Sequence, residues 1–263
     1  MKSQLIIGSI VIALAFIVVP TAGAIDLVPD ITGVTNEMPW DSFATCGPDL
    51  PTEAVFNDPV HPGWLVYVSL LCPADAAPDQ ISVAATGCAS TEYSFWASTH
   101  TTAWKYTYDT TNPFGFSQSA VASAWDGANT VWDSQVSASL FSGHVFGGSG
   151  SNVGRGDGVN QAGFKHLSGN AIAVQYAWTS GGKMVETDSG YNTGLALGMN
   201  GESNKYDVQG VAAQEMGHGN GMGHSSTASS ASCLTMYPYG VLGDTSKRTL
   251  GDGDILGIKA RYP

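Results

Sequence analysis

The stretch that decides the reading is "VAAQEMGHGNGMGHSS", residues 211–226. Gln214 and His218 stand four apart, the spacing that sets two side chains on one face of a helix. Glu215 directly follows the first of them. Gly221 is a point where a helix breaks, and His224 returns after the turn. The order is Gln-Glu-x-x-His-x-x-Gly-x-x-His. Two imidazoles and a third donor converging in this way form a familiar grip on one zinc ion. A glutamate beside the first donor stands where it takes a proton from water held by that ion. The first donor is irregular, because a neutral amide oxygen suits Ca2+ or Mg2+ better than Zn2+. A zinc site supplies roughly 10–16 kcal/mol over about four ligands. One poor ligand therefore costs a few kcal/mol, about two orders of magnitude in affinity at ~1.4 kcal/mol per tenfold.

The rest of the chain fits an exported protein. "MKSQLIIGSIVIALAFIVVPTAGA", residues 1–24, has one positive charge at Lys2, an apolar run too short for a bilayer span, and a small-residue cleavage site. It reads as a signal peptide, with a secreted mature chain starting at Ile25 and no membrane association after cleavage. The net charge of -12 disfavours nucleic acid and anionic membrane surfaces as partners. Cys46, Cys72, Cys88 and Cys233 are an even set, which in an exported chain implies disulfides. Three pairings are open. Nothing in the sequence fixes an oligomeric state.

Residues 25–92 are rich in Pro, Asp and Ala and read as an N-terminal extension or pro-segment, with one strand-like run, "WLVYVSLL" at 64–71. Beyond residue 93 the pattern becomes regular. "AWKYTYD" (103–109) alternates as a strand, with Trp104, Tyr106 and Tyr108 on one face. "SQSAVASAWDGANTVWDS" (117–134) carries a helical apolar stripe with Ser117 placed to cap it. "FSGHVFGGSGSNVGRGDGVNQ" (141–161) reads as a Gly/Ser-rich loop. "NAIAVQYAW" (170–178) and "KMVETDSGYN" (183–192) read as strands. "YDVQGVAAQEMGHGNG" (206–221) is a helix, and a last helix follows residue 251 with Asp252 placed as its cap. The order predicts an α+β domain over 93–263 with a small mixed sheet.

The motif resembles HExxHxxGxxH of the metzincin metalloproteases. Ser225 and the surrounding residues resemble the matrixin branch. "CLTMYPYG" (233–240) is similar to that family's Met-turn, with Met236 beneath the metal and Pro238 and Tyr239 on the pocket wall. "GDGVNQAGF" (156–164), residues 171–192 and "LGDGDILGIKARYP" (250–263) resemble the strands before the zinc helix and the terminal helix. The resemblance implies a metzincin-like fold with a twisted sheet, active-site helix, Met-turn and C-terminal helix. It implies one catalytic Zn2+ on Gln214, His218 and His224, and Glu215 as general base. A peptide or protein substrate would pair as an added strand along residues 171–178. Histidine stands in the family where this chain has Gln214. Gly219 and Asn220 also depart from the pattern, since the family usually has an apolar residue at the position of Asn220.

Other candidates carry less. His61, His100, His144 and His166 are read as ordinary histidines, any of which would serve as the missing ligand only by folding close to it. "GDGD" (251–254) lacks the spacing of a Ca2+ loop, and Asp157 reads as a polar turn, so Ca2+ is possible but unsupported. "TCGPDLP" (45–51) faintly resembles the matrixin cysteine switch, but a disulfide at Cys46 is the stronger reading. Two functions remain: a secreted zinc endopeptidase, or an inactive pseudo-protease that binds peptides because Gln214 emptied the site.

Overall fold

The computed structural model describes residues 43–76, 88–147 and 149–263. The expected signal at 1–24 lies outside them. The strands in chain order are β1 (Glu53–Asn57), β2 (Leu65–Pro73), β3 (Ser94–Phe95), β4 (Trp104–Asp109), β5 (Phe141–Phe146) and β6 (Gln161–Lys165). They continue with β7 (Ala173–Ser180), β8 (Lys183–Asn192), β9 (Leu197–Gly198), β10 (Tyr206–Asp207), β11 (Met222–Gly223) and β12 (Tyr239–Gly240). The helices are α1 (Gln118–Asp133), α2 (Val208–Gly219) and α3 (Asp252–Arg261). No helix among the described residues is long and apolar enough to cross a membrane.

The expected α+β architecture with a mixed sheet is present, and the sheet is larger than predicted. Its order is β1-β2-β7-β8-β6-β4-β5, with β12 pairing β2. The β1, β2, β7 and β8 neighbours run antiparallel, while β8-β6, β6-β4 and β4-β5 are parallel. Two expectations fail here. The start of the Gly/Ser-rich stretch is strand β5, paired with β4. Its side chains are mostly half-buried or exposed, so no alternation of burial marked it. Residues 171–178 were expected to offer a free edge, but β7 is paired on both sides, with β8 and with β2 from the N-terminal extension.

Local rules account for the helices. Ser117 accepts from the Ala120 N–H and starts α1, whose stripe buries Val121, Trp125, Ala128 and Trp132. Asp207 caps α2 by accepting from the Gly210 N–H at 2.8 Å. The cap of α3 is Gly251 rather than Asp252, which is the first helical residue. The acid that matters there is Asp254, which accepts from the Gly251 N–H at 2.9 Å. The core has two parts. One joins α1, α2 and the inner sheet face around Trp104, Tyr106, Trp125, Trp132 and Met236. The other lies on the opposite face and is built in part from the extension: Val66, Val68, Leu70 and Cys72 pack with Tyr176, Trp178, Tyr237 and Tyr239.

Candidate metal centre

α2 is buried along nearly its whole length and delivers the site. Its close packing explains the glycines. A Cβ on Gly217 would run into Met236 Sδ and the Trp132 indole. On Gly219 it would come to 3.0 Å from the Tyr106 hydroxyl and 3.2 Å from Thr187 Oγ1. Gly221, at φ 83°, takes the left-handed turn that ends the helix. Asn220 is the C-cap residue. Its amide donates to Met216 O at 2.8 Å, and its oxygen lies 2.9 Å from His100 Nε2. The two residues that departed from the family pattern therefore have local reasons.

The chain returns through β11, and His224 meets His218 with their Nε2 atoms 3.2 Å apart. The outer nitrogens fix the tautomers. His218 Nδ1 donates to Met222 O at 2.8 Å. His224 Nδ1 lies 3.1 Å from Thr52 Oγ1 and 3.4 Å from Glu53 Oε1. Each ring therefore turns an unprotonated Nε2 inward. Desolvation pushes His218 down to about 3 and holds His224 well below its ordinary value, so both rings are neutral. Gln214 reaches the same point: its Nε2 is 3.1 Å from His224 Nε2, while Oε1 is buried without a partner. A half-turn of that amide would present Oε1 instead.

Glu215, next to Gln214 on α2, is fully buried with neither carboxylate oxygen hydrogen-bonded, and the charges it feels and acts on are those of Lys247 and Tyr191. Burial raises its pKa well above the usual carboxylate range, and the charge of Lys247 acts against that rise. Two facing imidazole lone pairs and an orphan amide oxygen form an arrangement that a cation relieves. The nitrogen separation fits as well. Ligands about 2.0–2.1 Å from a tetrahedral zinc ion stand about 3.3 Å apart. The residues present fit zinc.

Met236 packs against α2 at Gly217, its carbonyl accepting from the Ser225 N–H at 2.9 Å, in a turn held from two sides. Asp254 accepts from the Thr235 N–H at 2.8 Å and the Met236 N–H at 3.1 Å. Lys247 Nζ donates to Tyr237 O at 2.7 Å and Thr235 O at 2.9 Å. Pro238 and Tyr239 run alongside β2, where Pro238 O accepts from the Cys72 N–H at 3.0 Å.

None of the other histidines joins the centre. His61 pairs with Asp58, His144 with Asp126, and His100 with Asn220 and Thr102. Among the described residues, the group of three able to share a metal ion is Glu53, His218 and His224. Glu53 lies on the Nδ1 side of both rings, however, and accepts from the His224 N–H at 2.9 Å. His218 Nδ1 is already committed to Met222. Glu53 is thus better placed to orient His224 than to replace Gln214. Its pKa is raised to about 7, mainly by desolvation of its carboxyl group, although 31 % of the side chain stays exposed. Thr52, Glu53, Ser69, Lys247 and Asp254 were missed by the sequence reading, because no local spacing marks them. Asp157 caps its own turn, accepting from the Val159 N–H at 3.0 Å and from Gln161 at 3.3 Å, as a polar turn residue does.

Cys46 forms a disulfide with Cys72, and Cys88 with Cys233. No thiolate is left at Cys46, so the cysteine-switch likeness fails. The family model that matches this chain is that of matrixin, over residues 95–263. Comparison with curated protein sequences returns no match.

Proposed function

The chain belongs to the matrixin family of zinc-dependent metallopeptidases, and from that premise we propose that it is a secreted endopeptidase. In this reading Gln214, His218 and His224 hold the ion and Glu215 is the general base. The observation that carries it is the meeting of two neutral imidazole Nε2 atoms at 3.2 Å, one of them from the helix that also carries the unpartnered, fully buried Glu215. Zinc, when bound, supplies a Lewis acid for the scissile carbonyl and lowers the pKa of water towards ~7. Glu215 takes the proton of the attacking water and passes it to the leaving amine. Its raised pKa in the absence of metal suits a group that holds a proton in a dry site. Glu53 and Thr52 orient His224. Asp254 and Lys247 fix the turn that carries Met236, and Pro238 and Tyr239 form the wall beside the groove. The signal at residues 1–24 and two disulfides fit export.

A second reading, an inactive pseudo-protease, is favoured by one observation: Gln214 turns its nitrogen, not its oxygen, toward His224. Zinc per chain in the secreted protein, measured by elemental mass spectrometry beside Gln214→His, separates the two. About one zinc in the natural chain supports the peptidase. Zinc in the variant alone supports the inactive module. Chelator-sensitive peptide hydrolysis that survives Glu215→Ala would overturn the assigned base.

A further inference from the structure

Ser94, Phe95 and Trp96 each meet a different part of the turn that carries the two histidines. β3 pairs antiparallel with β11, setting Phe95 against Met222 and Ser94 against Gly223. The Ser94 hydroxyl donates to His224 O at 2.6 Å. The Trp96 N–H donates to Gly221 O at 3.1 Å, just past the end of α2. Its indole meets the His218 ring edge to face, with centroids 5.0 Å apart and planes at 66°. Gly223 permits this approach, since a Cβ there would run into Ser94 Oγ and come to 3.2 Å from the Phe95 backbone.

The segment around β3 is anchored away from the histidines. The Gly253 N–H donates to Ser90 O at 2.7 Å and the Asp252 N–H to Cys88 O at 3.0 Å, so the start of α3 holds the chain that leads into β3. Arg261, in the last turn of α3, lies over the Phe95 ring at 4.6 Å. Cys88–Cys233 ties the same chain to the residues before Met236. His218 gains from this in a specific way. Its hydrogen bond from Nδ1 to Met222 O, at 2.8 Å, fixes the tautomer and one direction of the ring but not the tilt about that bond. An aromatic neighbour packed on the ring removes the tilt. β3 thus sets the carbonyl that anchors the imidazole, through Met222, and the wall that orients it, through Trp96.

We propose that Trp96 is a positioning residue for His218, holding the imidazole so that its Nε2 faces that of His224 before an ion arrives. The effect on metal affinity rests on the zinc reading above, and the holding of the ring does not. Trp96 acts through its ring and not through a side-chain hydrogen bond, because its Nε1 is buried without a partner. Phenylalanine at this position keeps an aromatic ring against His218. Leucine keeps apolar volume but has no aromatic ring to offer.

Two measurements on the full secreted chain test this. The first uses metal-free protein and NMR relaxation of the His218 ring. The order parameter should be about 0.85 in the natural chain and in Trp96→Phe, and about 0.6 or less in Trp96→Leu. A mobile ring in the natural chain overturns the proposal whatever the variants do, and so does a ring equally rigid in the leucine variant. The second uses Co2+ as the probe, followed by its visible spectrum. Loss of a residue that supports a ligand typically weakens a metal site by about 10–100-fold. Trp96→Leu should therefore bind Co2+ at least tenfold more weakly than the natural chain, and Trp96→Phe within about threefold of it. Equal losses in the two variants would make Trp96 ordinary packing and overturn its assignment, as would affinities within about twofold for all three proteins. If neither the natural chain nor Gln214→His takes up Co2+, the zinc reading fails, and ring relaxation alone decides the role of Trp96.

Discussion

Gln214→His should tighten zinc binding by about 100-fold. The structure sets the terms. His218 and His224 already present neutral nitrogens 3.2 Å apart, so two strong donors are common to both proteins. The amide must turn its unpartnered Oε1 inward and give up the Nε2 contact with His224. That contact is a neutral hydrogen bond of ~1 kcal/mol. One donor's share of a zinc site is about 3–4 kcal/mol, of which an amide oxygen recovers part. The net gain for imidazole is about 3 kcal/mol, or about 100-fold at ~1.4 kcal/mol per tenfold. Competition against a chromophoric chelator measures it directly. At equal saturating free zinc, the variant should gain about 2.7 kcal/mol more stability than the natural chain. For a chain of this size that is about 5–10 °C in Tm. Zinc affinities within about threefold of each other would refute the reasoning, because Gln214 would then be as good a donor as histidine, or position 214 would lie outside the metal's shell in both proteins.

Other perturbations have equally definite outcomes. Metal-free protein should lose stability as pH falls from about 6.5 towards 3. The unfolded His218 takes a proton near its ordinary value, while the folded ring, pushed down to about 3, does not. The loss is up to ~1.4 kcal/mol per pH unit, and urea melts of His218→Gln should show a flatter slope in that window. Glu215 acts in the opposite sense. Its raised folded pKa costs stability as pH rises above 4.5, so metal-free Glu215→Gln should melt higher than the natural chain at pH 8. Gly219→Ala sets a helix-propensity gain of ~1 kcal/mol against overpacking of about 1–3 kcal/mol onto Tyr106 and Thr187. A net loss of about 1 kcal/mol with weaker zinc retention is expected from denaturant titration. Replacing Cys88 and Cys233 by Ala opens a link across 145 residues. That should cost up to about 5 kcal/mol, more than opening Cys46–Cys72 across 26 residues.

What the sequence revealed was local. Four-residue spacing put Gln214 and His218 on one helical face, and alternation found β4 through Trp104, Tyr106 and Tyr108. The remainder of the site comes from contacts with no local signature. Ser69 reaches His218 across 149 residues, and Thr52 reaches His224 across 172. The run at 64–71 was legible as a strand, but its partner was not, because a buried strand looks the same whether it sits centrally or at an edge. Lys247 follows the same logic. In sequence it is one residue of a polar loop. In the fold it is a buried ammonium, lowered to about 8 mainly by desolvation, that holds the carbonyls of the Met236 turn.

The crowding of glycines around the histidines bears on whether Gln214 marks decay. In an eroding site, interior glycines would be expected to lie where nothing requires them, each costing about 1 kcal/mol of helix stability. Here a side chain at Gly217 would strike Met236 and Trp132, and one at Gly219 would press on Tyr106 and Thr187. Asn220 binds both the helix end and His100. The frame around the metal position is therefore tightly fitted, and the substitution at 214 stands alone within it. A fitted frame with one weak donor is what a loosely held metal needs.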